Sequence, residues 1–310
     1  MHILVTGGNG FIGSHLVDAL AYSGRHRVVV LDLYPREYEP LPASVLFVPG
    51  NLADVRLLRR TLVDHGIEVV YHLAWATIHE TATKHPLTDI EQNLVSTVGL
   101  LEACREADVR RVIFLSSGGT VYGIPQQFPI REDHPTDPIN AYGITKLAAE
   151  KYLQMYRHLY GLDYTIFRPS VPYGPRQNPR RRQGAVTVFI YKALRGEPIE
   201  IWGDGETLRD YFYIGDMIQA LVAALDREEA RNAVINLAGA QTYSLNDLVK
   251  LIAETLDLQV RVEYARQRKI DVQTLHLDIQ AAAQRLGWHP HTPLTEGIRH
   301  TAEWIQKWID

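Results

Sequence analysis

The segment TGGNGFIG at residues 6–13 restricts what this chain can fold into more than any other. It follows Ile3-Leu4-Val5, a run fit for a buried parallel strand, and leads into the amphipathic stretch Ser14–Ala21. Glycines between a strand and a helix are the context of dinucleotide binding rather than of an ordinary loop. Gly7 permits the tight turn, Gly10 lets the backbone approach a pyrophosphate, and Gly13 lets helix and strand pack closely. The helix start then offers free N–H groups and a positive dipole end to a phosphate. The spacing is GxxGxxG, not the commoner GxGxxG.

Downstream, apolar runs and amphipathic stretches alternate. Strands are expected at Val28–Leu31, Val45–Val48, Val69–Leu73, Val112–Leu115 and Tyr164–Phe167, and helices at Val55–Asp64, Asn93–Glu106 and Ala141–Tyr160. This alternation predicts an α/β fold, a doubly wound parallel (Rossmann) sheet with helices on both faces. From Pro172 to Gly184 the chain turns Pro-, Gly- and Arg-rich, which marks a break. Beyond it, helices at Ala185–Arg195, Met217–Leu225 and Leu245–Leu256 and strands at Pro198–Trp202 and Ala233–Leu237 read as a smaller C-terminal α/β substrate lobe. The expected division is 1–171 for the dinucleotide domain, with returning segments from the C-terminal half, and 172–310 for the lobe.

Bulk properties exclude several classes. A length of 310 residues with 46% hydrophobic and 22% charged residues is ordinary globular composition and argues against disorder. The net charge of −4 gives no reason to expect nucleic acid as a partner. No apolar run reaches membrane-span length. Cys104 stands alone, so no intramolecular disulfide is possible, in keeping with a reducing, cytoplasmic location. The 13 histidines lack ligand spacing on a helix face, and no metal is expected.

Asp32 ends the second strand, 19 residues after Gly13. A carboxylate there accepts hydrogen bonds from the adenosine ribose and repels a 2′-phosphate, which favours NAD over NADP. Arg36, close downstream, bears on that preference in the opposite sense. Tyr142 and Lys146 are four apart on a predicted helix and so share a face. A phenol becomes a useful base once nearby positive charge stabilises its phenolate, and the lysine ammonium is placed to do so.

The GxxGxxG turn followed by Tyr142-x-x-x-Lys146 resembles the short-chain dehydrogenase/reductase superfamily. Further segments occur in order: His72-Leu-Ala-Trp75, Asn93, SSGGTVYG at 116–123, RPSVPYG at 168–174, Gly203 to Gly205, Arg209-Asp210, and Arg268 with Asp271. Together they resemble the extended nucleotide-sugar epimerases and dehydratases, and the UDP-glucose 4-epimerase group most closely. The resemblance implies that Gly7, Gly10, Phe11, Ile12 and Gly13 line the pyrophosphate of NAD, Asp32 the ribose, and Asn51 and Leu52 the adenine. It places Leu73, Ala74, Trp75, Asn93 and Ser116 along the cofactor, with Pro169 near its carboxamide. Val171, Ala185, Val186, Ile201, Trp202, Arg209 and Arg268 are implied to hold the nucleotide sugar, most simply a UDP-sugar. Two arginines suit a diphosphate because each brings several donors and a permanent charge. In relatives the helices matching Asn93–Glu106 and Ala141–Tyr160 pack between subunits, which implies a homodimer.

Three positions depart from the resemblance. Gly118 stands where a serine or threonine usually bonds the substrate's 4-hydroxyl, leaving Ser117 or Thr120 to supply it, with Thr120 the expected one. Val171 replaces Asn or Thr beside the substrate, and Trp75 a small residue near the nicotinamide. Gly119 and Thr120 replace the acidic residues that 4,6-dehydratases use, and no cysteine follows residue 104, as GDP-fucose-forming epimerase–reductases require. What remains is NAD-dependent 4-epimerisation of a nucleotide sugar through a transient 4-keto sugar, with Tyr142 as acid–base. The alternatives are a reductase or dehydratase of the same group, or a relative that binds NAD without turnover.

Overall fold

The computed structural model describes residues 1–181, 184–266 and 272–309. Strands run in chain order as β1 (His2–Thr6), β2 (Arg27–Asp32), β3 (Val45–Pro49), β4 (Val69–His72), β5 (Arg111–Leu115), β6 (Asp163–Pro169), β7 (Val171–Tyr173), β8 (Ile199–Trp202), β9 (Tyr211–Tyr213), β10 (Ala233–Leu237) and β11 (Val262–Ala265). The helices of the first half are α1 (Phe11–Tyr22), α2 (Val55–Asp64), α3 (His79–Lys84), α4 (Pro86–Asp89), α5 (Ser96–Glu106) and α6 (Ala141–Tyr160). Those of the second half are α7 (Ala185–Leu194), α8 (Ile214–Asp226), α9 (Leu245–Leu256), α10 (Gln280–Leu286) and α11 (Leu294–Ile309).

Seven parallel strands form the central sheet in the order β10-β6-β5-β4-β1-β2-β3. Runs such as Ile3-Leu4-Val5 and Val112-Ile113-Phe114 are fully buried, because helices cover both faces of a parallel sheet. One apolar layer packs β1, β4 and β5 against α1 and α8 through Leu16, Val17, Leu20, Met217 and Leu221. The opposite layer packs the sheet against α2, α5 and α6 through Leu58, Leu100, Leu101, Ala149 and Leu153. Strand order reverses between β1 and β4, and the loops leaving those two carboxyl ends diverge into a crevice, where open α/β sheets bind ligands.

A third core joins α7, α9 and α11 through Phe189, Ile190, Leu248, Ile252, Ile298 and Ile305. Parallel pairs β8–β11 and β7–β9 edge it. Strand β10, from beyond the Pro- and Arg-rich break, returns to the main sheet and pairs in parallel with β6, Ile235 opposite Phe167. Helices α3, α4, α10 and α11 and strands β7, β9 and β11 were not among the expected elements.

Candidate active site

The glycine turn closes as a set of near-contacts that only glycine permits. Gly7 has φ of +72°, and a Cβ there would lie 2.7 Å from Ala74 N. A Cβ on Gly13 would lie 2.1 Å from Gly7 O, so the helix can start this close to β1 only without one. Gly10 is the N-cap of α1 and gives no side-chain bond to the first turn. The uncapped N–H groups of that turn open onto a cavity of about 590 Å³ lined by Gly10, Phe11 and Ile12. A backbone cradle of this kind at a helix N-terminus fits the pyrophosphate of a dinucleotide.

Asp32 leaves β2 beside the turn, its Oδ2 accepting the Asn9 N–H at 3.0 Å. Asn9 Nδ2 donates to Tyr34 O at 2.7 Å, which ties the following loop to the glycines. Asn51 and Leu52 follow β3, away from this cavity lining. Asn51 Oδ1 accepts the Ala53 N–H at 2.9 Å, and Leu52 packs into the core.

Tyr142 and Lys146 enter the same cavity from the first turns of α6, whose N-cap Asn140 accepts the Gly143 N–H at 2.8 Å. Lys146 Nζ donates to Leu115 O at 2.7 Å and lies 3.6 Å from the centroid of the Trp75 ring. Trp75 and His79 flank the Tyr142 ring at centroid distances of 6.1 and 4.7 Å. Burial raises the Tyr142 pKa above the ordinary phenol value, and Asp89 adds to the rise. Burial also drives the Lys146 pKa well down, opposed by Glu150 and Asp89. The chain by itself therefore holds Tyr142 as a phenol and weakens the lysine's charge, whereas the pair alone had read as lowering the tyrosine's pKa.

Behind these residues sits a buried polar frame. Glu150 accepts from Arg168 Nη2 at 2.6 Å and from Ser116 Oγ at 2.5 Å. Ser116 thus lines the cavity with its hydroxyl directed into the protein. His72, pushed down to about 3 by burial and by Lys146, bridges Thr6 and Thr97 as a neutral ring.

Leu73, Trp75, Pro169, Val171 and Arg209 also line the cavity. A second, shallower cavity of about 300 Å³ carries Ala185, Ile201 and Trp202, and shares Val171, Gly184 and Arg209 with the first. The two form one cleft running from the glycine turn to β8. Val186 is instead buried in the third core, one helical position behind Ala185. Arg209 Nη2 donates to Val272 O at 2.8 Å, which pins the segment after residue 271 to β9's approach. Arg268, Asp271 and Arg182 lie outside the described residues.

Two expected roles change. Asn93, expected along the cofactor, is buried and fully engaged: Oδ1 accepts the Ala76 N–H at 2.7 Å, and Nδ2 donates to Thr77 and Asp89, each at 2.8 Å. It reaches inward from a π-helical turn, Ile90–Val95, and holds the loop between Trp75 and α3 through Ala76 and Thr77. π-Helical turns of this kind are rare and recur at functional sites. Thr120, expected to meet the sugar hydroxyl, is 3% exposed, lies off the cavity lining, and leaves its Oγ1 buried without a partner among the described residues. Ser117 lines the cavity instead. Gly118 has no room for the usual serine, because a Cβ would fall 2.9 Å from Arg168 O and 2.5 Å from Leu277 Cδ1. Ala74 adjoins the floor through its N–H, 3.4 Å from Thr6 Oγ1. Residues that sequence reasoning missed include His79, Tyr38 and Gln177 of the cavity wall. They stand in loops or the short α3, where no spacing relates them to Tyr142.

A doubly wound sheet with a glycine cradle at its switch point and a tyrosine–lysine pair facing that cradle defines a dinucleotide-dependent α/β enzyme. The chain belongs to the NAD dependent epimerase/dehydratase family, whose model matches residues 3–238. It is 37% identical over 311 residues to a UDP-glucose 4-epimerase of Mycolicibacterium smegmatis, covering 99% of each chain. The fold of the Thermotoga maritima UDP-glucose 4-epimerase, solved with UDP-glucose, superposes with a TM-score of 0.95 at 37% identity over 100% of both chains. That of the Thermus thermophilus UDP-glucose 4-epimerase, solved with NAD, gives 0.90 at 32% identity over 99% of both chains.

Proposed function

We propose that this protein is an NAD-dependent nucleotide-sugar 4-epimerase acting on a UDP-hexose. The observation that carries the reading is the single cleft in which Tyr142, Lys146 and Ser117 stand between the glycine cradle and the Trp202–Arg209 cavity. Gly10, Phe11, Ile12 and Asp32 would hold NAD⁺, which would supply a reversible hydride acceptor for C4 and a positive charge. Tyr142 takes the 4-hydroxyl proton and gives it back, with Lys146 held beside it by its bond to Leu115 O. Ser117 bonds the same hydroxyl and aims it at the tyrosine. Ala185, Ile201, Trp202 and Arg209 hold the nucleotide, with Val171 at the bend where the sugar turns toward Tyr142. Alignment of the hydroxyl with its base carries much of such a rate, since positioning removes an entropic barrier.

The proposal includes a homodimer, supported by the apolar side chains that α6 and the π-helical turn before α5 leave exposed: Ile90, Val95, Ile144, Met155 and Leu159. It also places the enzyme in the cytoplasm, on the ground of a lone, buried Cys104. Among the described residues no helix is long and apolar enough to cross a membrane.

The test is to incubate purified protein with UDP-glucose, UDP-galactose and UDP-N-acetylglucosamine, without added cofactor, and to follow the isomer ratio by NMR. Interconversion of a 4-epimer pair is expected, with bound NAD recovered on acid extraction. Tyr142→Phe should cut turnover by roughly 10²–10⁴-fold, the usual share of acid–base catalysis, with NAD content unchanged. Turnover only when NADH is supplied in stoichiometric amount would identify a reductase and overturn the reading.

A further inference from the structure

Arg36 stands four residues past Asp32, a distance the chain spans in at most about 14 Å, so it belongs to the surroundings of the ribose-facing carboxylate. A free guanidinium in that neighbourhood is the group that accommodates a 2′-phosphate. Here it is not free. Arg36 Nη1 donates to Asp18 Oδ1 at 2.7 Å and Nη2 to Ser14 O at 3.1 Å, folding the side chain back onto α1. Its side chain is only 3% exposed. The remaining oxygen of Asp18 takes Arg176 Nη1 at 2.7 Å, and Arg176 Nη2 reaches Glu39 at 2.5 Å. Asp18 therefore bridges two guanidiniums beside the dinucleotide cavity, and Glu39 supplies the second negative charge.

We propose that Asp18 is a positioning residue for cofactor choice: by parking Arg36 against α1, it denies a 2′-phosphate its cationic partner and adds to the preference for NAD set by Asp32. Asp32 repels the phosphate directly. Asp18 acts at one remove, by occupying the charge that would otherwise attract it. Arg36 Nε is buried without a partner among the described residues, so the guanidinium keeps an unused donor while it is held. A released Arg36 has both charge and donors to offer a phosphate, and a guanidinium matches phosphate geometry closely.

The experiment reads bound cofactor, not turnover. Each variant is equilibrated with equal NAD⁺ and NADP⁺, passed through a desalting column, and extracted with acid, and the two nucleotides are quantified. Asp32→Ala alone should raise the NADP share modestly, because Arg36 stays parked. Adding Asp18→Asn should raise the NADP-to-NAD ratio by a further tenfold or so, the size of one charge-assisted hydrogen bond to phosphate. Adding Arg36→Met to that pair should erase the gain, which separates Arg36 from Arg176, whose bond to Asp18 is lost at the same time while that to Glu39 remains. Asp18→Glu, which keeps the carboxylate, should hold the ratio at the Asp32→Ala level. An unchanged ratio on adding Asp18→Asn, or a gain that survives Arg36→Met, overturns the proposal. Should the Asp18→Asn protein fail to fold, Arg36→Met in the Asp32→Ala background still decides. No change in the ratio is expected there, and a fall in bound NADP would show Arg36 already on the phosphate and refute the parking.

Discussion

Asp210 is 1% exposed, and its environment is asymmetric. Oδ2 accepts the Leu277 N–H at 2.8 Å, while Oδ1 is buried without a partner among the described residues. Burial pushes its pKa up to about 7, against the opposing pull of the Leu277 bond and of Arg209. An unfolded aspartate titrates near 3.9. Between those two values the folded state binds a proton that the unfolded state does not, so stability falls as pH rises through that window and levels off above about 7. The difference of about three pH units corresponds to roughly 4 kcal/mol, of which about 3 kcal/mol is lost between about pH 5 and pH 8. Asp210→Asn keeps the acceptor for Leu277 and does not ionise, so its stability should lack this slope. With an unfolding entropy of about 2 cal/mol/K per residue, the variant should gain roughly 4 °C over the parent in thermal midpoint on going from about pH 5 to pH 8. Scanning fluorimetry of both proteins in matched ionic strength measures this. A difference in midpoint that stays constant across the range would show that Asp210 does not titrate there and would refute the argument.

Two further predictions follow from the same part of the fold. Because Ser117 lines the cleft and Thr120 is buried off it, Ser117→Ala should reduce isomer exchange at saturating sugar several-fold more than Thr120→Val does; the opposite order would restore the threonine. Gly118→Ser should lower the thermal midpoint, since its Cβ meets Arg168 O at 2.9 Å, whereas Gly119→Ser, whose nearest neighbour is Leu275 Cδ2 at 3.4 Å, should be accommodated; equal midpoints for the two variants would show that the turn relaxes.

Much of the fold and part of the cleft were legible in the sequence, and the division between what was and was not has a physical cause. A glycine turn is local: strand, φ-positive glycine and helix start lie within one dozen residues, so their meaning is carried by spacing alone. The same holds for Tyr142 and Lys146, whose shared helix face follows from their separation of four. Strands buried on both faces announce themselves as apolar runs. By contrast, β7, β9 and β11 have three or four residues each, too short for periodicity to register. Helix α11 carries its apolar positions at helical spacing, yet it follows the Pro-rich stretch near Pro290 and Pro293, and only its packing against α7 and α9 gives it a core.

Roles that depend on which hydrogen bonds are already taken cannot be read this way. Asn93, Ser116 and Arg209 each occupy a position near the cleft, and the sequence shows the polar group they offer. It does not show that Ala76, Glu150 and Val272 have claimed those groups first. Arg36 is the sharpest case, because the sequence alone makes it an argument for NADP, whereas its guanidinium is already paired with Asp18 on α1. Thr120 errs in the other direction, for a hydroxyl counted as available turns out to face protein. In each instance the residue type sets which chemistry is possible. The long-range partners, separated by 17 to 63 residues in the bonds of Asn93, Ser116 and Arg209, decide whether that chemistry is spent on structure or left for the substrate.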